Sequence, residues 1–225
     1  KYFNYSGLNL SIETLDGLIK HNGPLLNTDK LNLILGKNFF KNKINFRKSP
    51  SLEAQIASIS DDIAYNSHDL EDGLRAKLFK IDDVKEIPVL SEIIKKNLIK
   101  GKKQRLEIIL SHIIRDIINE MVTDIISNTK RTLKKYKIND VNKVYNHPLS
   151  VVTFSNKMNK FDKDIKDFLK KRMYYSKTVL KKTNEGKKII QYLFKHIDKK
   201  PEKFINKEDL KFNTKKRLIS DFIAG

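Results

Sequence analysis

A short acidic segment stands out in a chain that is otherwise rich in lysine. Within it, Asp61, Tyr65 and Asp69 are spaced at i, i+4 and i+8, which places them in one row along the side of a helix. A carboxylate offers hard oxygen ligands to a divalent cation. A tyrosine offers a flat ring and a hydroxyl group, and a second carboxylate can accept a hydrogen bond from a sugar hydroxyl. The spacing therefore allows all three side chains to face one ligand.

The same pattern also has a purely structural interpretation. Acidic helix faces are common on protein surfaces, and Arg75 and Lys77 follow closely enough to balance the charge. One row of this kind is not a complete metal site, because a hard cation takes several oxygen ligands. Spacing alone leaves both interpretations open.

The composition predicts a packed and mostly helical protein. Of the 225 residues, 39% are hydrophobic, and there are only 8 glycines and 5 prolines to form the turns of an all-β fold. Cysteine is absent, which excludes disulfides and thiolate metal sites and favours a cytoplasmic location. No apolar run approaches the roughly 20 residues that cross a bilayer, so no membrane partner is predicted. The first residues contain neither an initiator methionine nor a signal-peptide pattern, and we expect the sequence to be part of a longer reading frame.

The formal net charge of +19 has two explanations, an anionic binding partner and the base composition of the genome. A basic surface attracts nucleic acid or a polyphosphate ligand over long distances. Abundant lysine, asparagine and isoleucine together are also typical of an AT-rich genome. The lysines are spread along the chain and are not interleaved with aromatic residues as in a base-stacking surface. The pattern therefore favours the second explanation and leaves nucleic acid as an alternative partner.

Hydrophobic spacing and the Gly and Pro residues predict the helix boundaries. A first helix is expected to end at residues 21–24, and a second to begin with Ser49 as its N-cap and Pro50 at its first position. The second helix is expected to bury Leu52, Ile56, Ile59, Ile63, Leu70 and Leu74. Further helices are predicted over 88–101, over 102–136, over 156–197 as two helices broken near Gly186, and from about Thr214. The helix over 102–136 is expected to bury Leu106, Ile109, Leu110, Ile113, Ile117, Met121 and Ile125.

The sequence around the acidic row closely resembles a signature of the bacterial deoxyguanosine triphosphate triphosphohydrolase-like proteins, which are HD-domain phosphohydrolases. The matching stretches are Ser51-Leu52-Glu53-Ala54-Gln55, Asp61-Asp62-Ile63-Ala64-Tyr65-Asn66 and Asp69-Leu70-Glu71-Asp72-Gly73-Leu74-Arg75-Ala76. Segments within 7–24, 119–124 and 217–225 resemble other stretches of this family, in the same order. The resemblance covers nearly the whole chain and is more specific than any single motif.

The resemblance implies a reaction and roles for individual residues. The family converts a deoxynucleoside triphosphate and water to a deoxynucleoside and inorganic triphosphate. By its place in the motif, Asp61 matches the later Asp ligand of a divalent metal, with Mg²⁺ or Mn²⁺ expected. Tyr65 and Asp69 match residues that contact the deoxyribose, the Tyr by packing and the Asp at the 3′-hydroxyl. Lys20 or His21 could approach the phosphates, although a cationic side chain that caps the end of the first helix is an equal alternative.

The resemblance also implies that part of the site lies elsewhere. The family's metal-binding His and His-Asp pair are expected upstream of residue 1, together with the catalytic acid or base. The dipeptide His68-Asp69 does not replace them, because it lies inside the later Asp motif. His112, His147 and His196 are interpreted as structural or exposed.

These observations predict an all-α protein with two regions, residues 1–80 as the C-terminal part of the HD catalytic domain and 81–225 as an associated helical region. The predicted function is that of a metal-dependent deoxynucleoside triphosphate triphosphohydrolase whose present sequence alone is inactive. A homo-oligomer and a deoxynucleoside triphosphate effector are expected as well. The alternative is a basic helical module for nucleic-acid binding, oligomerisation or regulation.

Overall fold

The structure is a computed structural model that describes residues 8–35, 43–212 and 214–225. Gly7, the first residue of one family-like segment, lies outside the described residues. Helices dominate, and no strand occurs in the part of the chain that is described. The predicted all-α fold class is therefore confirmed.

The chain divides into two compact units, Lys1–Leu169 and Lys170–Gly225. The helices of the first unit are α1 (Ile12–Ile19), α2 (Asp29–Leu35), α3 (Leu52–Arg75), α4 (Ile81–Val84), α5 (Pro88–Lys100), α6 (Leu106–Lys135), α7 (Val141–Asn146) and α8 (Asn156–Leu169). The second unit contains α9 (Lys177–Lys199), α10 (Lys207–Phe212) and α11 (Lys215–Ala224). The predicted division at residue 80 concerns domain families and stays a prediction.

The 30-residue helix α6 is the centre of the first unit and packs against both α3 and α5. Its buried face consists of Ile109, Leu110, Ile113, Ile114, Ile117, Met121 and Ile125, at the spacing of one helical stripe. The predicted face is confirmed at six positions and is wrong at Leu106, which is 55% exposed. Leu106 is the first residue of α6, and the first three residues of this helix are all exposed.

The start of α3 differs from the sequence prediction. Ser51, and not Ser49, is the N-cap, and its hydroxyl accepts a hydrogen bond from the backbone N–H of Ala54. Ser49 is buried instead, and its Oγ donates to the carbonyl oxygen of His147 at 2.9 Å. That long-range bond gives the buried hydroxyl a partner.

The end of α3 is set by Lys77, whose φ of 56° lies in the left-handed region. The N–H of Leu78 donates to the carbonyl of Gly73 and the N–H of Lys77 to that of Leu74, the two bonds of a Schellman motif. Gly73 is required here because Phe79 folds back against it. A Cβ at Gly73 would lie 2.3 Å from the Cε1 and Cζ atoms of that ring.

The predicted apolar stripe of α3 is only partly buried. Ile63 and Leu70 are in the core, whereas Ile56 is 49% exposed. The other buried positions of α3 are Gly73 and three polar residues, Gln55, Asn66 and Ser67. This half-polar inner face makes α3 a helix that binds loops and neighbours by hydrogen bonds as well as by apolar packing.

In the second unit, α9 runs through Gly186 without interruption, so the predicted break at Gly186 is wrong. The break between α8 and α9 comes earlier, at the π-helical turn Lys170–Tyr174 that precedes the N-cap Ser176. The last helix follows Thr214 as predicted. It packs on α9, and Ile197 and Ile219 are the buried residues of these two helices.

None of the helices described is both long and apolar enough to cross a membrane.

Candidate active-site wall

The row of Asp61, Tyr65 and Asp69 lies on one continuous helix, as its spacing predicts. Successive members are about 6 Å apart along the axis, since an α-helix rises 1.5 Å per residue. Asp61 is 58% exposed in its side chain, Tyr65 is 66% exposed, and Asp69 is half-buried. The row therefore forms an open surface that a ligand can reach, with its most covered member at the C-terminal end.

A second element reaches the N-terminal end of this row. Nε2 of His21 lies 3.5 Å from Oδ2 of Asp61, although the two residues are 40 positions apart. His21 occupies the turn after α1, and α1 packs directly on α3, with Gly17 against Ala54. The turn continues to Gly23, whose φ of 97° is the left-handed conformation that glycine adopts at low cost.

Lys20, the other predicted phosphate contact, has different surroundings. Its side chain is 2% exposed, and its Nζ lies 2.6 Å from Oδ1 of Asp16 one turn earlier on α1. A phosphate would have to displace Asp16 and enter the protein to reach this ammonium group. The packing therefore argues against Lys20 as a phosphate ligand, and the imidazole of His21 is the group that lies beside the row.

The two adjacent aspartates, Asp61 and Asp62, contact different residues. Oδ2 of Asp62 lies 3.3 Å from Nζ of Lys166 on α8, and the same Nζ lies 2.9 Å from Asp162. Asn66 completes this clamp by donating to Asp162 at 2.6 Å. Burial lowers the pKa of Lys166, but its bonds and charge interactions with Asp162 and Asp62 outweigh burial and leave the pKa raised. Asp62 thus helps hold α3 to α8, which leaves Asp61 as the carboxylate of the pair that lies beside His21.

Gln55 fixes a loop beside the row. Its Oε1 accepts hydrogen bonds from Oγ of Ser150 and from the N–H groups of Val151 and Val152, at 2.8 to 3.0 Å. Its Nε2 donates to the carbonyl of Pro50 at 2.9 Å. Gln55, Val151 and Val152 are all buried, so water does not replace these bonds. One side chain therefore ties the start of α3 to the segment that leads into α8.

A cavity of about 350 Å³ opens between this loop, the turn after α1 and the first half of α3. His21, Gln55, Asp62 and Ser150 are among the residues that line it. Its size lies near the lower end of the range for small-molecule sites, roughly 300 Å³ and above. The cavity adjoins the His21 side of the His21–Asp61 pair, and the aspartate in its wall is Asp62.

The donor set fits one part of a metal site. The exposed carboxylate of Asp61 has the hard oxygen chemistry that Mg²⁺ or Mn²⁺ prefers. Within residues 8–35, 43–212 and 214–225, no three His, Asp or Glu side chains are grouped so that they could hold a metal ion. The described residues offer a single ligand from this row, together with a neighbouring imidazole.

The other histidines have structural surroundings. His112 Nδ1 lies 2.7 Å from a guanidinium nitrogen of Arg115, and the ring of His147 packs edge-on against Tyr136. His68 is exposed on α3. His196 is exposed on α9, and its ring stacks with that of Tyr192. The placements of His112, His147 and His196 agree with their interpretation as structural or exposed.

Sequence reasoning missed the roles of Gln55 and of the Lys166 clamp. Gln55 is part of the recognised signature, but its role is not apparent from the sequence because its partners in the loop are 95 to 97 residues away. Lys166 is one lysine among many, and nothing in its local pattern pairs it with Asp62. Both contacts depend on tertiary packing that no short-range spacing reveals.

A comparison with known protein families matches one part of the chain. The family model of the phosphohydrolase-associated domain matches residues 152–225, which include α8 and the second unit. This match lies within the region 81–225 to which the sequence reasoning assigned an associated helical region.

Individual relatives then define the relationship more closely. The whole chain aligns with a deoxyguanosinetriphosphate triphosphohydrolase-like protein of Pelagibacter ubique at 49% identity over 225 residues, which is 60% of that protein. Proteins of the same name from Bartonella tribocorum and Rickettsia typhi are 36% and 35% identical, with 58% and 59% of their lengths covered. The chain thus spans about 60% of the length of these relatives. It is a relative of the deoxyguanosine triphosphate triphosphohydrolase-like proteins along all of its residues, and the predicted resemblance is confirmed.

Proposed function

We propose that this chain forms one wall of the active site of a metal-dependent deoxynucleoside triphosphate triphosphohydrolase. The observation that carries the proposal is the exposed row of Asp61, Tyr65 and Asp69, with His21 at 3.5 Å from its first member. The alignment of the whole chain with about 60% of proteins named deoxyguanosinetriphosphate triphosphohydrolase-like supports it.

In this proposal the row orders the substrate along α3. Asp61 contributes one metal ligand at the α-phosphate end, and the imidazole of His21 donates a hydrogen bond to a phosphate oxygen beside it. Tyr65 packs its ring against the deoxyribose one turn further on, and Asp69 accepts a hydrogen bond from the 3′-hydroxyl. When bound, a divalent ion, Mg²⁺ or Mn²⁺, supplies Lewis-acid polarisation of the phosphoryl group and lowers the pKa of water. The remaining metal ligands and the catalytic acid or base belong to a part of the whole protein that this sequence does not contain.

The proposed discrimination between sugars depends on how far each member of the row is covered by protein. A site that hydrogen-bonds a sugar hydroxyl rejects analogues that lack it, because its polar group is then left unpaired. Asp69 is the most covered member of the row, so this discrimination is expected at Asp69. A 2′,3′-dideoxynucleoside triphosphate should therefore be a poor substrate.

Three further properties are proposals with the same basis. A homo-oligomer would cover part of the exposed helix faces, a deoxynucleoside triphosphate effector would regulate turnover, and the absence of cysteine fits a cytoplasmic enzyme.

The proposal is tested with a chimera in which this chain replaces the matching 60% of the Pelagibacter relative. We expect the chimera, with Mg²⁺ or Mn²⁺, to convert deoxynucleoside triphosphates to deoxynucleoside and triphosphate, detected by ³¹P NMR and chromatography. Release of pyrophosphate or orthophosphate as the first product would contradict the proposed reaction.

The 225-residue chain by itself is the matched control and should release no triphosphate. Turnover by the chain alone would contradict the proposed division of the site, because it would require a complete set of ligands within these residues.

A further inference from the structure

Asp61 and Asp62 both carry exposed carboxylates, on neighbouring sides of α3. Their side chains are 58% and 54% exposed, and consecutive residues of a helix point about 100° apart. A hard divalent cation takes about six oxygen ligands, so an ion bound to Asp61 would also attract a second free carboxylate beside it. Exposure and charge therefore do not distinguish the two residues as metal ligands, and the difference must come from their neighbours.

Lys166 on α8 is the neighbour of Asp62. Its Nζ lies 3.3 Å from Oδ2 of Asp62 and 2.9 Å from Oδ2 of Asp162, so one ammonium group bridges α3 and α8. Asp61 has a different neighbour, the imidazole of His21, at 3.5 Å. Lys166 therefore engages one carboxylate of the adjacent pair and leaves the other free for a ligand.

The ammonium group of Lys166 is fixed from both helices. On α8, the ring of Phe168 meets that of the buried Phe79 edge-on at 4.9 Å, which holds this part of the helix against the end of α3. On α3, the buried Asn66 donates to the other carboxylate oxygen of Asp162 at 2.6 Å. These contacts orient the partners of Lys166, whereas an isolated surface ion pair has no such support.

We propose that Lys166 is a positioning residue of the metal site, which holds Asp62 out of the ligand set so that Asp61 is the carboxylate that binds the ion. The inference rests on the proposed function, since it assumes a divalent ion at Asp61. The ammonium group engages Oδ2 of Asp62 and also repels a divalent cation that approaches this carboxylate. The alternative is a simple tether between α3 and α8, which would affect stability but not the choice of ligand.

The test uses Lys166→Met in the chimera with the Pelagibacter relative and takes two measurements. The Mn²⁺ affinity is measured without substrate from the EPR signal of the free ion, and kcat/KM from triphosphate release. Loss of one positive charge and release of Asp62 should tighten Mn²⁺ binding by about 3- to 20-fold. Because Asp62 would then compete with Asp61, kcat/KM should fall by about 10- to 100-fold, the range for residues behind a metal ligand. A simple tether predicts unchanged or weaker Mn²⁺ binding.

Two double variants separate ligand choice from stability. Lys166→Met combined with Asp62→Asn should return both values to within about fivefold of Asp62→Asn alone, because the competing carboxylate is gone. Lys166→Met combined with Asp162→Asn removes the other carboxylate of the clamp and should keep the tighter Mn²⁺ binding and the low kcat/KM. The matched control is Lys85→Met, which should change neither value. Lys85 is 41% exposed against 42% for Lys166, and it pairs with Asp82 at 2.6 Å.

Failure of this inference and failure of the proposed function give different results. An unmodified chimera that binds Mn²⁺ but releases no triphosphate would contradict the proposed function, while the Mn²⁺ affinities of the variants would still test the role of Lys166. An active chimera would overturn the inference if Lys166→Met left Mn²⁺ binding unchanged or weaker, or if Asp62→Asn failed to suppress the effects of Lys166→Met.

Discussion

The Nε2 atom of His21 lies 3.5 Å from the Oδ2 atom of Asp61, and this approach joins the turn after α1 to the middle of α3. It places an imidazole at the end of the row where the phosphates of a substrate are proposed to bind. The neighbouring Asp62 is held by Lys166 instead, so the structure gives two consecutive aspartates different partners.

His21 is predicted to contribute to substrate binding in the chimera with the Pelagibacter relative. His21→Ala should lower kcat/KM for deoxynucleoside triphosphates by about 10- to 100-fold, the equivalent of one hydrogen bond to a charged group. His68→Ala is the control, because His68 is an exposed histidine on α3 and takes no part in the proposed site. An equal loss in the two variants would show that the effect does not come from the His21–Asp61 contact.

Gln55 is predicted to be a major source of stability for the first unit. Gln55→Ala leaves the buried N–H groups of Val151 and Val152 without acceptors, which should lower the free energy of unfolding by about 2–4 kcal/mol. Gln104→Ala, at an exposed position, should stay within about 0.5 kcal/mol of the unmodified chain. Urea unfolding followed by circular dichroism measures both, and a small effect at Gln55 would mean that water or the backbone can replace its bonds.

Two glycines in helices are predicted to respond in opposite directions. Gly73→Ala forces a methyl group against the ring of Phe79 and should destabilise the first unit by about 1–3 kcal/mol. A Cβ added at Gly186, which lies inside α9, would meet no neighbouring atom within 4 Å. Gly186→Ala should therefore stabilise the second unit by about 0.5–1 kcal/mol. Thermal unfolding of the two variants distinguishes the signs. Loss of stability in Gly186→Ala would contradict an unbroken α9.

The parts of the fold that follow from local pattern were predictable from the sequence. The buried face of α6 and the position of Pro88 at the start of α5 are set by spacing and by the fixed φ of proline. The row of Asp61, Tyr65 and Asp69 was equally readable, because four-residue spacing fixes side-chain direction on a helix.

The remainder required tertiary packing. Ser51 rather than Ser49 caps α3 because Ser49 is used by a bond to His147, 98 residues away. Ile56 is exposed although it fits the apolar stripe, since buried polar bonds from Gln55 and Asn66 decide which face turns inward. His21 was a candidate from its sequence context, but its approach to Asp61 depends on how α1 packs on α3.

The central claim is that Asp61, and not Asp62, is the metal-binding carboxylate of α3. The direct measurement is kcat/KM for deoxyguanosine triphosphate hydrolysis by the chimera with either aspartate changed to asparagine. Asp61→Asn should lower kcat/KM by more than about 100-fold, since even residues behind a metal ligand cost 10- to 100-fold when changed. Asp62→Asn should stay within about fivefold, because a partly exposed ion pair contributes roughly 0–1 kcal/mol. Equal losses in the two variants, or a larger loss at Asp62, would contradict the assignment of the row as the wall of the active site.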